Sequence, residues 1–385
     1  MARIAPFYVM DVMARARALE RSGRSVVHME VGEPDFPTPE PIRQAAVRAL
    51  QGDALPYTEA LGLPELREAI AGHYRARYGL SLPPERVVVT AGSSGALLLT
   101  MALLLDPGAE LLMADPGYPC NRQFARAVNG EPVGLPVGPE TGYQLTAELV
   151  ERRWSARTAA VLVASPSNPT GTLIAPEALA GIHEVVRRHH GRLVVDEIYH
   201  GLTYGSAAPV QSALALGDDL LVVSSFSKYF DMTGWRLGWL VAPPDAVRDL
   251  EKLAQNLFIC PSTLAQRAAL AAFLPETLEV LEARRRELQA RRDLLVPALR
   301  ELGFGVPVTP AGAFYVYADC SRFAADSFQF ALDLLEQAGV AVTPGKDFGE
   351  HQPERYLRFA YTTSLPQLEE GIRRLGRFLA RRAAG

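Results

Sequence analysis

The chain of 385 residues carries 48% apolar and 21% charged side chains and a formal net charge of −4 at pH 7. This composition is typical of a globular protein with a large core, and the charge balance gives no indication of nucleic acid or an anionic membrane as a partner. The cysteines Cys120, Cys260 and Cys320 are isolated, so neither a zinc site nor a disulfide framework is expected. Reduced thiols indicate a cytoplasmic location, and the length favours one large domain with a smaller one.

The first 24 residues are rich in arginine, which is a feature of transit peptides. Asp11 and Glu20 interrupt that pattern, so we predict instead a helix of the mature protein over residues 11–21. Residues 31–39 hold one glycine and three prolines and are predicted to form a loop. Gly32 in this loop would let a ligand approach the backbone closely, and a plain turn is the alternative.

A helix ending near residue 78 and a strand over residues 86–90 precede a turn of glycine and serine. The turn opens an apolar helix over residues 96–105, which is about half the ~20 residues that a membrane helix needs. Such a turn presents unpaired N–H groups and the positive end of the helix dipole, which together favour a phosphate. A simple helix cap is the alternative. The candidate phosphate ligands are Gly92, Ser93 and Ser94.

Three further β-rich segments, residues 110–114, 158–164 and 192–195, alternate with predicted helices and indicate a mostly parallel sheet. Open parallel sheets bind ligands at the carboxyl ends of their strands. Three candidate ligand residues follow these strands: the aromatic Tyr118, the amide Asn168 and the carboxylate Asp196. The alternatives are that Tyr118 is a core tyrosine, that Asn168 belongs to a simple proline turn, and that Asp196 caps a helix. The bond between Asn168 and Pro169 is a candidate for the cis form.

The most informative segment follows a predicted buried strand over residues 220–223. Lys228 lies where this strand leaves the core, and burial favours the neutral amine, which is the form that attacks a carbonyl. Ser225 and Arg236 flank it, and a guanidinium is a planar clamp for anions. Hydroxyls, an amine and a guanidinium at strand ends suit a phosphorylated aldehyde, whereas a plain surface lysine is the alternative.

The last third of the chain is predicted to form a smaller α+β unit. A long charged helix over residues 275–302 leads to strands over residues 314–318, 340–342 and 356–360, and a helix over residues 365–382 closes the chain. Arg358 lies in an otherwise apolar strand, where a charged group is rarely found without a partner. An anionic ligand or an internal ion pair would supply that partner.

Several motifs of the chain resemble those of the class I/II aminotransferases and occur in the order expected for that family. These are the pyridoxal-phosphate enzymes of fold type I that include aspartate aminotransferase. The lysine segment has the family's pattern Ser-x-Ser-Lys-x-x-x-Met-Thr-Gly-Trp-Arg-x-Gly. The other motifs span most of the chain; they are Val31-Gly32-Glu33-Pro34-Asp35-Phe36, Tyr57-Thr58, Ala91-Gly92-Ser93-Ser94-Gly95, Asn168-Pro169-Thr170-Gly171, Asp196-Glu197-Ile198-Tyr199 and Arg358.

The resemblance implies a role for each candidate residue. Lys228 would bind pyridoxal phosphate covalently and transfer protons, Asp196 would keep the ring nitrogen protonated, and Tyr199 would act beside the phenolic oxygen. The other cofactor ligands would be Gly92, Ser93, Ser94, Tyr118, Asn168, Ser225 and Arg236, with Tyr57 reaching in from a neighbouring subunit. The substrate would be held by Gly32, Asn168 and Arg358, the last gripping its α-carboxylate.

The function implied by the resemblance is ping-pong transfer of an amino group from an L-amino acid to a 2-oxo acid, with 2-oxoglutarate as a reasonable acceptor. Aspartate-specific relatives use a basic residue for the second carboxylate, and the serines of the phosphate turn slightly disfavour a dedicated aspartate enzyme. A carbon–sulfur β-lyase on the same fold is the alternative. A non-enzymatic regulator is a further alternative, which is disfavoured because only about thirty residues precede the Gly32 loop.

We therefore predict an α/β fold with a large domain, built on a mostly parallel sheet covered on both faces, and a smaller α+β domain. The predicted boundaries are residues 1–48 for an N-terminal segment that joins the small domain, 49–285 for the large cofactor-binding domain and 286–385 for the small domain. The resemblance also implies a homodimer with shared active sites. No metal is expected.

Overall fold

The computed structural model describes residues 7–52, 54–205 and 210–384. Within these residues the helices, numbered in chain order, are α1 (Tyr8–Arg21), α2 (Glu40–Gln51), α3 (Pro64–Tyr78), α4 (Gly92–Leu104), α5 (Pro119–Ala127), α6 (Ala147–Arg153), α7 (Pro176–Arg188), α8 (Val247–Leu257), α9 (Thr263–Ala269), α10 (Pro275–Glu301), α11 (Ser327–Asp333) and α12 (Leu365–Ala384). None of the helices in these ranges is long and apolar enough to cross a lipid bilayer.

The strands fall into one large sheet and two small ones. They are β1 (Val27–His28), β2 (Val87–Thr90), β3 (Glu110–Asp115), β4 (Glu131–Pro136), β5 (Thr158–Ala164), β6 (Arg192–Asp196), β7 (Leu221–Ser225), β8 (Gly238–Val241), β9 (Tyr315–Asp319), β10 (Val340–Ala341), β11 (Thr343–Pro344) and β12 (Tyr356–Ala360). The large sheet has the order β2-β8-β7-β6-β5-β3-β4, and only its pairings with β8 are antiparallel.

Both faces of the large sheet are covered by helices. On β6, Val194 belongs to a core cluster with Leu97 of α4 and Leu250 of α8. Its neighbours Leu193 and Val195 belong to the other cluster, which includes Ile182 of α7. Successive side chains of a strand point to opposite faces, so a run of valine and leucine forms a strand that is buried on both sides. The predicted fold class is therefore confirmed.

The parallel strands bring their carboxyl ends to one edge of the large sheet. β3 ends at Asp115, β5 at Ala164, β6 at Asp196 and β7 at Ser225. The ends of β3, β5, β6 and β7 and the segments that follow them carry several of the residues singled out in the sequence, among them Tyr118, Asn168, Asp196 and Lys228. This edge is therefore where a ligand site is expected.

The smaller unit contains the antiparallel sheet β11-β12-β9 and the parallel pair β1-β10. β1 lies near the amino end and pairs with β10, with Val27 opposite Val340. The predicted boundaries at residues 48 and 285 fall inside α2 and α10, so at both points the chain continues as helix. α10 has 27 residues and spans about 40 Å, which suits it to join the two units.

Candidate active site

A cavity of about 380 Å³ opens at the carboxyl edge of the large sheet. Most of the predicted site residues line it together, although they lie more than 300 positions apart in the chain. These residues are Gly32, Ser93, Ser94, Tyr118, Asn168, Asp196, Tyr199, Lys228, Arg236 and Arg358. Within the described ranges, no group of three or more histidine, cysteine, aspartate or glutamate side chains is placed to hold a metal ion.

Lys228 lies in the turn that follows β7 and points into the cavity. Its Nζ donates a hydrogen bond to the carbonyl oxygen of Gly32, at 2.7 Å. Burial lowers the pKa of Lys228 to about 8; Glu33 opposes this, while the positive charges of Arg236 and Arg358 add to it. The neutral amine is therefore available near neutral pH, as a nucleophile or general base requires.

Asp196 ends β6 and is 4% exposed. The backbone N–H of Ile198 donates to its Oδ1 at 3.1 Å. Burial raises the pKa of Asp196 to about 7, because a carboxylate loses its hydration here and gains only this one hydrogen bond to offset the loss. A cationic group beside it would restore the charged form, which is the partner that a protonated ring nitrogen requires.

The amino end of α4 and Arg236 form an anion cradle. Ser93 and Ser94 in the first turn of α4 line the cavity with Ser227 and Arg236. Gly92 has a φ of +69°, and a Cβ there would lie 2.7 Å from Nη2 of Arg236. A side chain at position 92 would thus push the guanidinium out of place, which explains the glycine. Unpaired N–H groups, hydroxyls and a guanidinium together fit a phosphate.

Ser225 lies at the end of β7, beside the cavity. Its hydroxyl donates to the carbonyl oxygen of Leu237 at 3.3 Å and accepts from the N–H of Ser227 at 3.0 Å. Ser225 does not line the cavity, whereas Ser227 does. The hydroxyl of Ser225 holds the turn after β7 against the strand that follows, and its predicted contact with the cofactor stays a prediction; Ser227 is a further candidate.

Arg358 occupies the other end of the cavity and is 5% exposed. It donates from Nη1 to Oδ1 of Asn168 at 3.1 Å, and from Nη2 to the carbonyl oxygen of Glu30 at 2.6 Å and the hydroxyl of Thr343 at 3.1 Å. Its Nε is buried and has no hydrogen-bond partner among the described residues. A buried donor without a partner is costly, so this end of the cavity fits a carboxylate ligand.

Aromatic rings build the walls between these two ends. The guanidinium of Arg358 lies 4.3 Å from the centroid of Tyr315, whose hydroxyl is 3.0 Å from that of Tyr199. A Cβ on Gly32 would lie 2.5 Å from the hydroxyl oxygen of Tyr315, so this position needs a glycine. Tyr118 is half-buried on the wall, where it offers a ring face to a flat ligand. The bond between Asn168 and Pro169 is cis, as predicted.

Tyr57, unlike the predicted residues beside the cavity, lies on the exposed surface of the chain. It lies in the loop before α3 and is 77% exposed. Its predicted role depends on a second subunit.

Several cavity residues were not identified from the sequence. Ser227 and Glu33 lay within quoted motifs and Tyr315 lay within a predicted strand, so all three had a local signal. Glu30 and one face of α1 had none, because only the tertiary fold brings them to the site. The residues of that face are Val9, Met10, Met13 and Arg17.

Residues 24–375 match the family model for aminotransferase class I and II. The chain belongs to this family. This aminotransferase is 42% identical over 378 residues to a valine–pyruvate aminotransferase of Mycobacterium tuberculosis, covering 98% of this chain and 97% of that protein. It is 37% identical over 385 residues to an aspartate/prephenate aminotransferase of Thermus thermophilus, covering 98% and 97%. A crystal structure of an aminotransferase from Mycobacterium tuberculosis superimposes with a TM-score of 0.95, 42% identity and coverage of 99% and 98%.

Class I and II aminotransferases use pyridoxal phosphate, and the predicted cofactor is confirmed for this enzyme. The side chains of the cavity fit that molecule. An anion cradle lies at the end of α4, a buried acid ends β6, and a lysine amine of lowered pKa lies in the turn after β7. The predicted activity, transfer of an amino group, is likewise confirmed by the family and by the relatives.

Proposed function

We propose that this aminotransferase transfers the amino group of an L-amino acid to 2-oxoglutarate in a ping-pong reaction, with Lys228, Asp196 and Tyr199 as catalytic residues. One observation carries the proposal. The amine of Lys228, the carboxyl group of Asp196 and the guanidinium of Arg358 meet in one cavity. One substrate can thus contact Lys228 as the proton carrier and Arg358 as the group that binds its carboxylate, while Asp196 pairs with the cationic ring of the cofactor.

When bound, pyridoxal phosphate supplies an aldehyde that reacts with amines and a ring that withdraws electrons from the substrate Cα. The chain supplies the rest. Asp196 holds a proton at the ring nitrogen, Tyr118 covers the ring face, and Asn168 and Tyr199 bind the phenolic oxygen. The phosphate binds at the amino end of α4, which begins at Gly92. Its ligands are the first N–H groups of that helix and the side chains of Ser93, Ser94, Ser227 and Arg236.

Substrate handling falls to the other end of the cavity. Arg358 binds the α-carboxylate, with Asn168 and the backbone at Gly32 beside it, and so fixes the direction of the Cα–H bond. The amine of Lys228 accepts the proton from the substrate Cα and would deliver it to C4′ of the cofactor, acting first as base and then as acid. Its lowered pKa matches this double use, because both forms are populated near pH 8.

A panel of amino donors tests this activity. The holoenzyme, supplied with single L-amino acids and 2-oxoglutarate, should form glutamate and the matching 2-oxo acid, with parallel lines in double-reciprocal plots. Ammonia and pyruvate formed from cysteine conjugates, without glutamate, would instead favour the β-lyase alternative. With pyruvate in place of 2-oxoglutarate the amino product would be alanine, and alanine formation faster than glutamate formation would contradict the proposed acceptor.

We also propose a homodimer in which Tyr57 reaches the phosphate site of the neighbouring subunit. A tyrosine that is 77% exposed in a single chain is unusual for a cofactor ligand unless a partner covers it. Large apolar side chains are exposed in the ten residues before it, which is typical of an interface. They are Val47, Leu50 and Leu55.

For Tyr57→Phe we expect a cofactor Kd that rises about tenfold, because one hydrogen bond to a charged phosphate is lost. Sedimentation should give the mass of a dimer for both the wild type and the variant. A monomeric wild type that retains cofactor would contradict the shared site.

A further inference from the structure

One face of α1 forms part of the wall of the cavity. Val9, Met10, Met13 and Arg17 all line the cavity. At about 100° per residue these four positions fall within roughly 100° of the helix circumference, so they form one stripe. A different face, with Val12 and Ala16, is fully buried against the small unit.

α1 is fixed to the unit that also carries the carboxylate clamp. The N–H groups of Tyr8 and Val9 donate to Oδ1 and Oδ2 of Asp347, at 2.7 and 2.8 Å. Four residues before Asp347, Thr343 accepts from Arg358 at 3.1 Å. Residues 343–347 therefore contact both α1 and the guanidinium of Arg358. A substrate whose α-carboxylate binds Arg358 would place its side chain near the stripe on α1.

The stripe changes character along its length. Val9, Met10 and Met13 offer apolar surface, and the unbranched methionines adapt to ligands of different shape. Arg17 lies one turn beyond Met13 and has no hydrogen bond or ion pair within the residues that the structure describes. Glu33, the acid on the Lys228 side of the cavity, accepts a hydrogen bond from Thr233.

A ping-pong transaminase must bind its two substrates in turn in the same cavity. Both carry an α-carboxylate and a reacting Cα at the same places, so both side chains lie along the same wall. We propose that Val9, Met10 and Met13 receive the side chain of an apolar amino acid, and that Arg17 binds the distal carboxylate of glutamate or 2-oxoglutarate. This inference rests on the proposed function.

The two half-reactions can be measured separately. Holoenzyme is mixed with glutamate alone or with leucine alone, and the change in cofactor absorbance gives a second-order rate constant for each donor. Arg17→Gln should lower the constant for glutamate by at least about tenfold, because a charge-assisted hydrogen bond is lost, and that for leucine by less than about twofold. Met13→Ser should show the reverse pattern.

Arg15→Gln is the matched control, because Arg15 is on the same helix but pairs with Glu336. It should leave both constants unchanged. If Arg17→Gln lowered the rate constants for both donors equally, or lowered neither, the assignment of Arg17 would be overturned. A wild-type enzyme that reacts with leucine but not with glutamate would also overturn it. A wild-type holoenzyme that reacts with no amino acid would refute the proposed function itself.

Discussion

Replacement of Lys228 by alanine should lower the turnover number by at least about 10³-fold and remove the absorbance band of the cofactor joined covalently to this lysine. The variant loses the amine that binds the cofactor aldehyde and the group that carries the Cα proton. Both losses act on the chemical step, so no increase in substrate concentration should restore the rate. Absorbance spectra and steady-state kinetics with glutamate as donor measure the two effects.

Lys252→Ala is the matched control. Lys252 lies on α8, is 58% exposed at its side chain and pairs with Asp249 on the same helix. Its loss should change neither absorbance nor turnover. If Lys228→Ala kept its absorbance band and its transaminase activity, while circular dichroism showed an intact fold, the assignment of Lys228 would be wrong.

The predictable part of the site follows from the parallel sheet. Once strands such as β5 and β6 are recognised, their carboxyl ends must share one edge, and Asn168 and Asp196 must lie close together. The strand pattern of valine and leucine therefore determines the position of catalytic groups that are far apart in the chain. The same reasoning places Lys228, which follows β7.

The less predictable part depends on single turns and on contacts between distant segments. Ser225 and Ser227 are both serines in one motif, and only the hydrogen bonds of the turn decide which one lines the cavity. The sequence predicted that the first helix begins at residue 11, but it begins at Tyr8. The cap that extends it is the carboxylate of Asp347, 339 positions away, so no local pattern near residue 8 records it.

The contribution of α1 to the cavity was missed for the same reason. Met10 and Met13 at helical spacing are more often part of a core than of a ligand site, and their sequence neighbours give no other sign. Met10 is 52% exposed, so it is not part of a core within one chain. Only the packing of the neighbouring face, with Val12 in one core cluster with Leu335, turns this stripe towards the cavity.

Replacement of Arg358 by alanine should raise KM for amino donors by about 100-fold, with a change in cofactor Kd of less than about twofold. The loss of two charge-assisted hydrogen bonds to the α-carboxylate corresponds to about 3 kcal/mol, which is a factor of about 100 in binding. Arg358 lies at the opposite end of the cavity from the anion cradle, so the phosphate contacts remain. Saturation kinetics with several donors and a cofactor titration separate the two quantities.

Arg355→Ala provides a matched comparison on the same segment of chain. Arg355 directly precedes β12 and pairs with Asp319 at 2.6 Å, and it does not line the cavity. Its loss should leave KM unchanged.

Arg358→Lys should recover only part of the affinity, because a lysine keeps the charge but cannot make two parallel hydrogen bonds to a carboxylate. Weaker cofactor binding with an unchanged KM in Arg358→Ala would assign this arginine to the cofactor instead. The same rise in KM for every donor, apolar or acidic, would place the contact of Arg358 on the carboxylate that all amino acids share.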